Sequence, residues 1–260
     1  MALSVNGTRL RAVQSRNMNS FCQYLDWDSN FFGVRIARLT TSRLTDEIID
    51  NTRQWCTANH IDCLYFLADA ADAATIRLAE DNHFRFVDIR MTFEKPITND
   101  LAAKERMTKS KIRQVIPEDI PALRQIAKTS YRGTRFYNDT KFLTDLSDTL
   151  YETWIEKSCN GYADAVFVAE IHGEPAGYIS CHLSDPSTGQ IGLIAVDEKR
   201  RGLQLGQELI TEALHWFAAQ DITNVTVVTQ GQNHLALRLY QRCGFLTSSV
   251  QLWYHRWFTQ

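Results

Sequence analysis

The alternation of apolar and polar residues predicts a three-stranded antiparallel meander in the second half of the chain. Residues 165–170, 176–183 and 190–196 are rich in apolar and β-branched side chains. The stretches 172–174 and 185–189 separate them and contain the glycine and proline that are typical of turns. Strands that such short turns connect pair antiparallel.

An amphipathic helix and a further strand are predicted after the meander. One face of this helix carries apolar residues at helical spacing, namely Leu209, Ile210, Ala213, Trp216 and Phe217. The β-branched segment 224–229 follows as a strand. Because a helix connects it to residues 190–196, the two strands should run parallel. Before the meander, residues 111–116 predict a strand, and Pro117 favours a helix start directly after it.

The polar segment from Thr98 to Ser110 has no sustained strand or helix period. It separates two parts of the chain that each carry their own pattern of strands and helices. We therefore expect an N-terminal domain over residues 1–98, a linker over 99–110 and a second domain over 111–260.

The two parts also share a faint, ungapped similarity at a spacing of 161 residues. The matching pairs are Glu47 and Glu208, Ile49 and Ile210, Trp55 and Trp216, Ala58 and Ala219, Ile61 and Ile222, Arg77 and Arg238, Leu78 and Leu239, and Phe84 and Phe245. Either both parts follow one βαβαβ plan, or two helix–strand units resemble each other only in apolar period. If the repeat is real, the first copy has lost its chemistry, because Ala79 stands where the second copy has Tyr240.

The charge balance excludes a broad basic surface. With 28 Lys and Arg against 30 Asp and Glu, the formal charge is -2, which argues against binding to nucleic acid. No apolar run approaches the length of a membrane span, and Met1 to Arg11 lack the apolar core of a signal peptide, so we expect a cytoplasmic protein. The six cysteines and seven histidines show no metal-binding spacing, so no metal is expected.

A basic, glycine-bearing turn over residues 197–206 links the strand 190–196 to the amphipathic helix. Free N–H groups at a helix start and the helix dipole favour an anion at such a place. The turn is neither a Walker loop nor a G-x-G-x-x-G fingerprint. Taken alone, it is a weak signal that favours an ordinary surface turn.

The order of these elements, followed by Asn233, Tyr240 and Cys243-Gly244-Phe245, resembles the GNAT superfamily of acetyl-CoA-dependent N-acetyltransferases. The resemblance covers roughly residues 111–258. It implies an α/β fold with a mixed sheet, in which a complete GNAT acyltransferase domain follows a partial GNAT-like N-terminal domain. It also implies acetyl-CoA as co-substrate. The residues that it assigns to coenzyme binding are Leu193, Ile194, Ala195, Val196, Arg201, Gly202, Gln204, Leu205, Gly206, Asn233 and Tyr240. Gln204 departs from the family's glycine, and we expect a right-handed backbone there.

The resemblance makes Tyr240 the catalytic residue, as proton donor to the departing thiolate. A phenol stays protonated at neutral pH and can serve such a base. Many family members have a glutamate as general base on the strand before the turn, where this chain offers Gln190. We therefore expect direct attack by a neutral amine, or removal of its proton through water. Asp28 and His182 are weaker candidate bases, because a surface turn and a strand edge explain them better.

Residues 25–34, 119–125, 135–137 and 191–193 are similar to the branch of the family that acetylates TDP-fucosamine and related nucleotide-linked amino sugars. This similarity implies a TDP-4-amino-4,6-dideoxyhexose as acceptor. Arg132, Arg135 and Tyr137 are the predicted substrate-binding residues, because guanidinium groups suit phosphate and aromatic faces suit a base or a sugar.

Two other functions remain open. One is a GNAT enzyme that acetylates a protein N-terminus or a small amine, and the other is a non-catalytic acyl-CoA-binding protein. The oligomeric state is also open, since the aromatic-rich segment 249–258 is either a strand at a homodimer interface or a buried sheet edge.

Overall fold

A computed structural model describes residues 21–98 and 110–258, which form two compact units. The larger unit comprises Met91–Tyr137 and Leu143–Ser249. The smaller unit comprises the described residues up to Arg90, the segment Asn138–Phe142, and the described residues from Val250 onward. Residues 1–11 and, apart from Ser110, the linker 99–110 lie outside the described residues, so the division of the chain at this linker stays a prediction.

The smaller unit is built on a mixed sheet. Its elements are β1 (Cys22–Tyr24), α1 (Asp26–Phe32), β2 (Ile36–Leu39), α2 (Asp46–Ala58), β3 (Cys63–Asp69), α3 (Ala73–Asp81) and parts of β4 (Arg85–Pro96) and β10 (Leu246–Trp257). The strand order is β1–β2–β3–β10, with β2 and β3 parallel and the other pairs antiparallel. Ile49, Cys56 and Ala79 pack from α2 and α3 onto Phe66 and Tyr254 of the sheet.

The larger unit has the strand order β4–β9–β8–β7–β6–β5. Its elements are the rest of β4 and β10, β5 (Lys111–Gln114), α4 (Ile120–Ser130), α5 (Arg135–Asn138), α6 (Thr144–Lys157), β6 (Ala165–Ile171), β7 (Glu174–Leu183), β8 (Thr188–Val196), α7 (Leu205–Ala218), β9 (Asn224–Gln230) and α8 (His234–Arg242). Leu209, Ala213 and Phe217 of α7 pack in one core with Ile179 and Ile191.

The predicted meander and crossover are confirmed. Strands β6, β7 and β8 pair antiparallel in chain order, and β8 pairs parallel with β9 through α7. The predicted first strand and helix are also present as β5 and α4, with a 3-10 turn at Pro117–Asp119 between them. None of the helices in the described ranges is long and apolar enough to cross a membrane.

The last strand does not lie at a sheet edge. Its residues Gln251 to Trp257 pair antiparallel with β3, and β10 stands between β3 and β4 in the strand order. The expectation of a buried edge over residues 249–258 is therefore wrong, because long-range pairing places the strand inside the sheet. A homodimer interface at this segment stays a prediction.

Candidate functional site

A cleft of about 380 Å³ lies in the larger unit between β8 and β9. The parallel pairing of these strands extends from Thr188 to Ile191 on β8. The later residues of both strands line the cleft, namely Ile194, Ala195, Val196, Val228, Thr229 and Gln230. The cleft thus begins where the regular pairing of the two strands ends, which leaves room for a ligand beside strand backbone.

The turn before α7 forms one end of the cleft. Gly202 has a φ of 84° and Gln204 a φ of 66°, so both adopt the left-handed conformation. The expectation of a right-handed backbone at Gln204 is therefore wrong, and the left-handed state costs a non-glycine residue roughly 1–2 kcal/mol. Gln204 is the N-cap of α7, and its side chain accepts no capping hydrogen bond.

The first N–H groups of a helix have no partner within the helix. At the start of α7 these belong to Leu205 and Gly206, which both line the cleft. A Cβ at Gly206 would lie 3.0 Å from Leu239 Cδ2, so glycine allows α7 and α8 to pack closely here. The turn therefore presents backbone donors and a helix N-terminus to the cleft, as an anion requires.

The charges that line the cleft are all positive. Arg200, Arg201 and Arg242 line it, and no aspartate, glutamate or histidine is among the lining residues. Arg201 also lies 3.5 Å from Glu198, whose side chain is 76% exposed, so water screens that pair strongly. The cleft is consequently suited to a ligand with several negative charges, such as a pyrophosphate.

Tyr240 is a buried residue of α8 that lines the cleft. The helix begins after Asn233, whose side-chain oxygen accepts the N–H of Ala236 at 3.1 Å, which confirms the N-cap. The Tyr240 ring packs against the rings of Phe93 and Phe245, with ring centres 5.8 and 6.0 Å apart, respectively. Burial raises the pKa of the Tyr240 hydroxyl, so it carries its proton at neutral pH.

The structure brings together ten of the eleven residues predicted to bind the coenzyme, because all except Leu193 line the cleft. Leu193 is buried, and its N–H donates to Ser180 Oγ at 2.7 Å. This bond lies at a β-bulge, since the register between β7 and β8 shifts between Ile179 and Cys181. The backbone beside the cleft is therefore that of residues 194–196.

The predicted substrate residues lie outside the cleft lining. The Tyr137 hydroxyl donates to Asp148 Oδ1 at 2.6 Å, and Arg132 lies 3.9 Å from Asp148 Oδ2. Burial and this carboxylate raise the pKa of Tyr137. Arg135 is buried, with its guanidinium carbon 4.2 Å from the centre of the Phe136 ring. Their role in substrate binding stays a prediction.

The candidate bases are also outside the lining. Gln190 pairs with His182 across β8 and β7. The His182 Nε2 atom is buried and has no hydrogen-bond partner among the described residues, and burial lowers the pKa of this ring. Asp28 lies in the first turn of α1 in the smaller unit. The lining of the cleft itself thus supplies no general base.

Twelve further residues line the cleft without having been predicted from the sequence, and three of them, Tyr131, Arg200 and Arg242, carry a phenol or a guanidinium group. Arg200 and Tyr131 belong to segments that attracted notice, but nothing in the sequence singled them out. Arg242 is in the last turn of α8, where a basic residue ordinarily complements the helix dipole, so its position carried no functional signal. No cluster of three or more potential metal ligands occurs within the described ranges.

Comparison with known proteins shows which family residues 120–245 match. The profile of the "Acetyltransferase (GNAT) family" matches residues 120–245, which include every residue that lines the cleft. The chain carries a GNAT acetyltransferase domain. This match and the structural comparison below together confirm the expected GNAT fold, with a mixed sheet and a GNAT-like N-terminal part before it.

Relatives of this GNAT domain include two curated proteins. The dTDP-fucosamine acetyltransferase of Escherichia coli O6:H1 is 33% identical over 140 residues, which are 53% of this chain and 59% of that protein. The spore coat polysaccharide biosynthesis protein SpsD of Bacillus subtilis is 29% identical over 141 residues, which are 54% of this chain and 48% of that protein. The matched segment thus spans about half the length of these curated relatives.

A solved structure extends the likeness beyond the GNAT domain. The tandem GNAT protein from the clavulanic acid biosynthesis pathway superimposes with a TM-score of 0.56 at 14% identity. The superposition covers 88% of this chain and 77% of that structure. At this identity the likeness concerns the fold alone.

Proposed function

We propose that this chain is an N-acetyltransferase that moves the acetyl group of acetyl-CoA to the amine of a nucleotide-linked amino sugar, of the TDP-4-amino-4,6-dideoxyhexose type. The observation that carries this proposal is the arrangement of the cleft. A cationic turn with free backbone donors lies at one end, and the protonated Tyr240 lines the same cleft.

The residues of the cleft fit acetyl-CoA in charge and shape. Arg200, Arg201 and Arg242 supply positive charge for its phosphate groups, and the first N–H groups of α7 supply hydrogen-bond donors. The backbone of residues 194–196 is placed to pair with the amide groups of the pantetheine arm in the manner of an added strand. When bound, acetyl-CoA supplies an activated acetyl thioester.

In the proposed transfer, a residue of the chain supplies the proton that the departing sulfur needs. Tyr240 keeps its proton because burial raises its pKa, and it donates that proton to the sulfur as the C–S bond breaks. Since the cleft lining contains no carboxylate or imidazole, the amine attacks in its neutral form and releases its own proton to water. The rate should therefore rise with pH until the substrate amine is fully neutral.

The acceptor assignment is supported by the relative from Escherichia coli O6:H1, whose name states that it acetylates dTDP-fucosamine. Loop 130–137 offers arginine and aromatic side chains of the kind that bind a nucleotide sugar. Equal affinity of the wild type and Arg135→Ala for a TDP-sugar would contradict a direct contact by Arg135.

Thiol release from acetyl-CoA tests the proposal against a panel of acceptors. We expect release with TDP-linked amino sugars and little release with simple amines or peptides. Release with peptides alone would overturn the sugar assignment in favour of protein acetylation. Binding of acetyl-CoA without release for any acceptor would instead indicate a non-catalytic acyl-CoA-binding protein.

A further inference from the structure

Tyr131 is a residue of the cleft to which the proposed reaction assigns no role. It caps the C-terminus of α4 and lines the cleft together with Gly192 and Ile194. Its hydroxyl donates to the carbonyl oxygen of Ile194 at 3.0 Å. The side chain therefore reaches the same stretch of β8 that is proposed to pair with the pantetheine arm.

The Tyr131 side chain is held from several directions. Its hydroxyl lies 3.2 Å from the Tyr178 hydroxyl, in addition to its bond to Ile194. Its ring stacks on Tyr151, with centroids 4.5 Å apart and planes 17° from parallel. Burial raises the pKa of Tyr131 well above its ordinary value, so the hydroxyl stays a neutral donor. A ring fixed in this way cannot easily rotate away from a larger ligand.

Gly192 closes the cleft beside Tyr131. A Cβ at this position would collide with His182 Nε2 and would lie 2.6 Å from Ser180 Oγ. The space behind Gly192 is thus already filled by two side chains of β7. A ligand atom directly behind Gly192 would therefore meet these two side chains.

Tyr131 lies at the end of the cleft that an acyl group would occupy. The cationic turn over residues 200–206 marks the other end, where the phosphate groups of the coenzyme are proposed to bind. A pantetheine arm that bound from that turn along Val196 toward Ile194 would place its thioester last. Its acyl group would then meet Tyr131 and Gly192.

We propose that Tyr131 sets the length of the acyl group that this site accepts and restricts the donor to acetyl-CoA. This inference rests on the proposed function and specifies its donor. The ring limits the length of the acyl group, and the hydrogen bond from the hydroxyl to Ile194 holds the ring in position. One methylene group in a well-packed pocket changes discrimination by about 10-fold or more.

Calorimetric binding of acetyl-CoA, propionyl-CoA and butyryl-CoA tests the inference without any acceptor. For the wild type we expect affinity to fall with acyl length. For Tyr131→Ala we expect the preference for acetyl-CoA over butyryl-CoA to shrink by about 10-fold. Tyr131→Leu, which keeps an apolar side chain in the core but shortens its reach, should shift the preference in the same direction if the alanine variant fails to fold.

Tyr131→Phe is the matched control, because it keeps the ring and removes only the hydroxyl with its contacts to Ile194 and Tyr178. We expect it to retain most of the preference for acetyl-CoA. An unchanged preference in both Tyr131→Ala and Tyr131→Leu, with acetyl-CoA still bound, would overturn the role of Tyr131 and leave the proposed function intact. Failure of the wild type to bind any of the three coenzymes would overturn both.

Discussion

The two units repeat one local design at a constant spacing of 161 residues. In the smaller unit the N–H of Ile61 donates to Cys56 O, and in the larger unit the N–H of Ile222 donates to Phe217 O. The same spacing relates the N-cap Asp72 of α3 to the N-cap Asn233 of α8. It also relates pairs of residues with positive φ, namely His60 and Asp221, and His83 and Gly244. The backbone plan is therefore shared, and the differences between the units lie in what surrounds it.

The turn before the first helix of each repeat shows the clearest difference. In the smaller unit, Thr75 Oγ1 accepts the N–H of Leu44, and Thr45 Oγ1 caps α2 at Ile48. Arg43 in that turn lies 3.3 Å from Asp69 and 3.5 Å from Asp72, and because its side chain is 68% exposed, water also screens these pairs. The N–H donors and the arginine of this turn thus have partners within the smaller unit.

In the larger unit, the corresponding turn leaves these groups to the cleft. Gln204 provides no side-chain cap, and three arginines line the cleft without an acid among the lining residues. At the spacing of 161 residues, the small Ala79, buried in the core of the smaller unit, stands in place of Tyr240. In the smaller unit the donors and the arginine of the turn bond to neighbouring side chains. In the larger unit the donors, the arginines and the phenol line the cleft instead.

Removing the phenol should produce the largest change. We expect Tyr240→Phe to fold normally and to reduce kcat by about 100-fold or more, because the thiolate then departs without a positioned proton donor. Steady-state thiol release with a saturating acceptor measures the change. Tyr254→Phe is the matched control, since Tyr254 is a buried tyrosine of the smaller unit and should leave kcat unchanged. Similar losses in both variants would argue for a general packing effect.

The smaller unit should respond in stability instead. Asp139 is buried, lies 2.6 Å from His255 Nδ1 and accepts the Trp257 Nε1–H at 2.8 Å. Asp139→Ala removes the carboxylate that accepts both hydrogen bonds and should lower the free energy of unfolding by about 3–5 kcal/mol. Urea denaturation measures this loss, while the Kd for acetyl-CoA below the transition should stay the same. Asp81→Ala, at an exposed site on α3, is the control.

The contribution of Asp139 should also depend on pH in a defined direction. Burial by itself raises the pKa of this carboxyl, but hydrogen bonds from His255 and Trp257 hold it below the ordinary value of 3.8. A carboxyl with a lowered folded-state pKa stabilises the fold fully above its unfolded-state pKa. The difference between wild type and Asp139→Ala should therefore shrink as the pH falls below about 4. A difference that persists unchanged at pH 2 would contradict the ionic contribution.

A pair of arginine variants compares the two turns directly. Arg201→Ala should raise the Kd for acetyl-CoA about 10-fold, since a hydrogen bond to a charged group contributes about 1.5–3 kcal/mol. The loss should be smaller at high salt, which already screens the interaction. Arg43→Ala removes the arginine of the turn in the smaller unit and should leave the Kd unchanged. Equal effects on coenzyme binding would mean that the turns do not differ as described.

Some of this contrast could be predicted from the sequence, and some could not. The meander, the parallel crossover and the Asn233 cap follow from local patterns of apolar, β-branched and capping residues. The left-handed backbone at Gln204 does not, because glutamine carries no signal for it. The contact between Asp139 and His255 joins residues 116 positions apart, and the pairing of β10 with β3 joins residues still farther apart in the chain, so neither leaves a local trace.

The smallest expected effect concerns the residues that cap the N-termini of α2 and α7. Gln204→Gly should raise the free energy of unfolding by about 0.5–1 kcal/mol, because relief of the left-handed strain exceeds the extra entropy of glycine in the unfolded chain. Thr45→Ala should lower it by about 1 kcal/mol, because Thr45 supplies a capping bond. Urea denaturation resolves the two opposite signs. If Gln204→Gly were destabilising, the Gln204 side chain would have to stabilise the turn. The two units would then not differ in this respect, because a side chain would stabilise the turn in both.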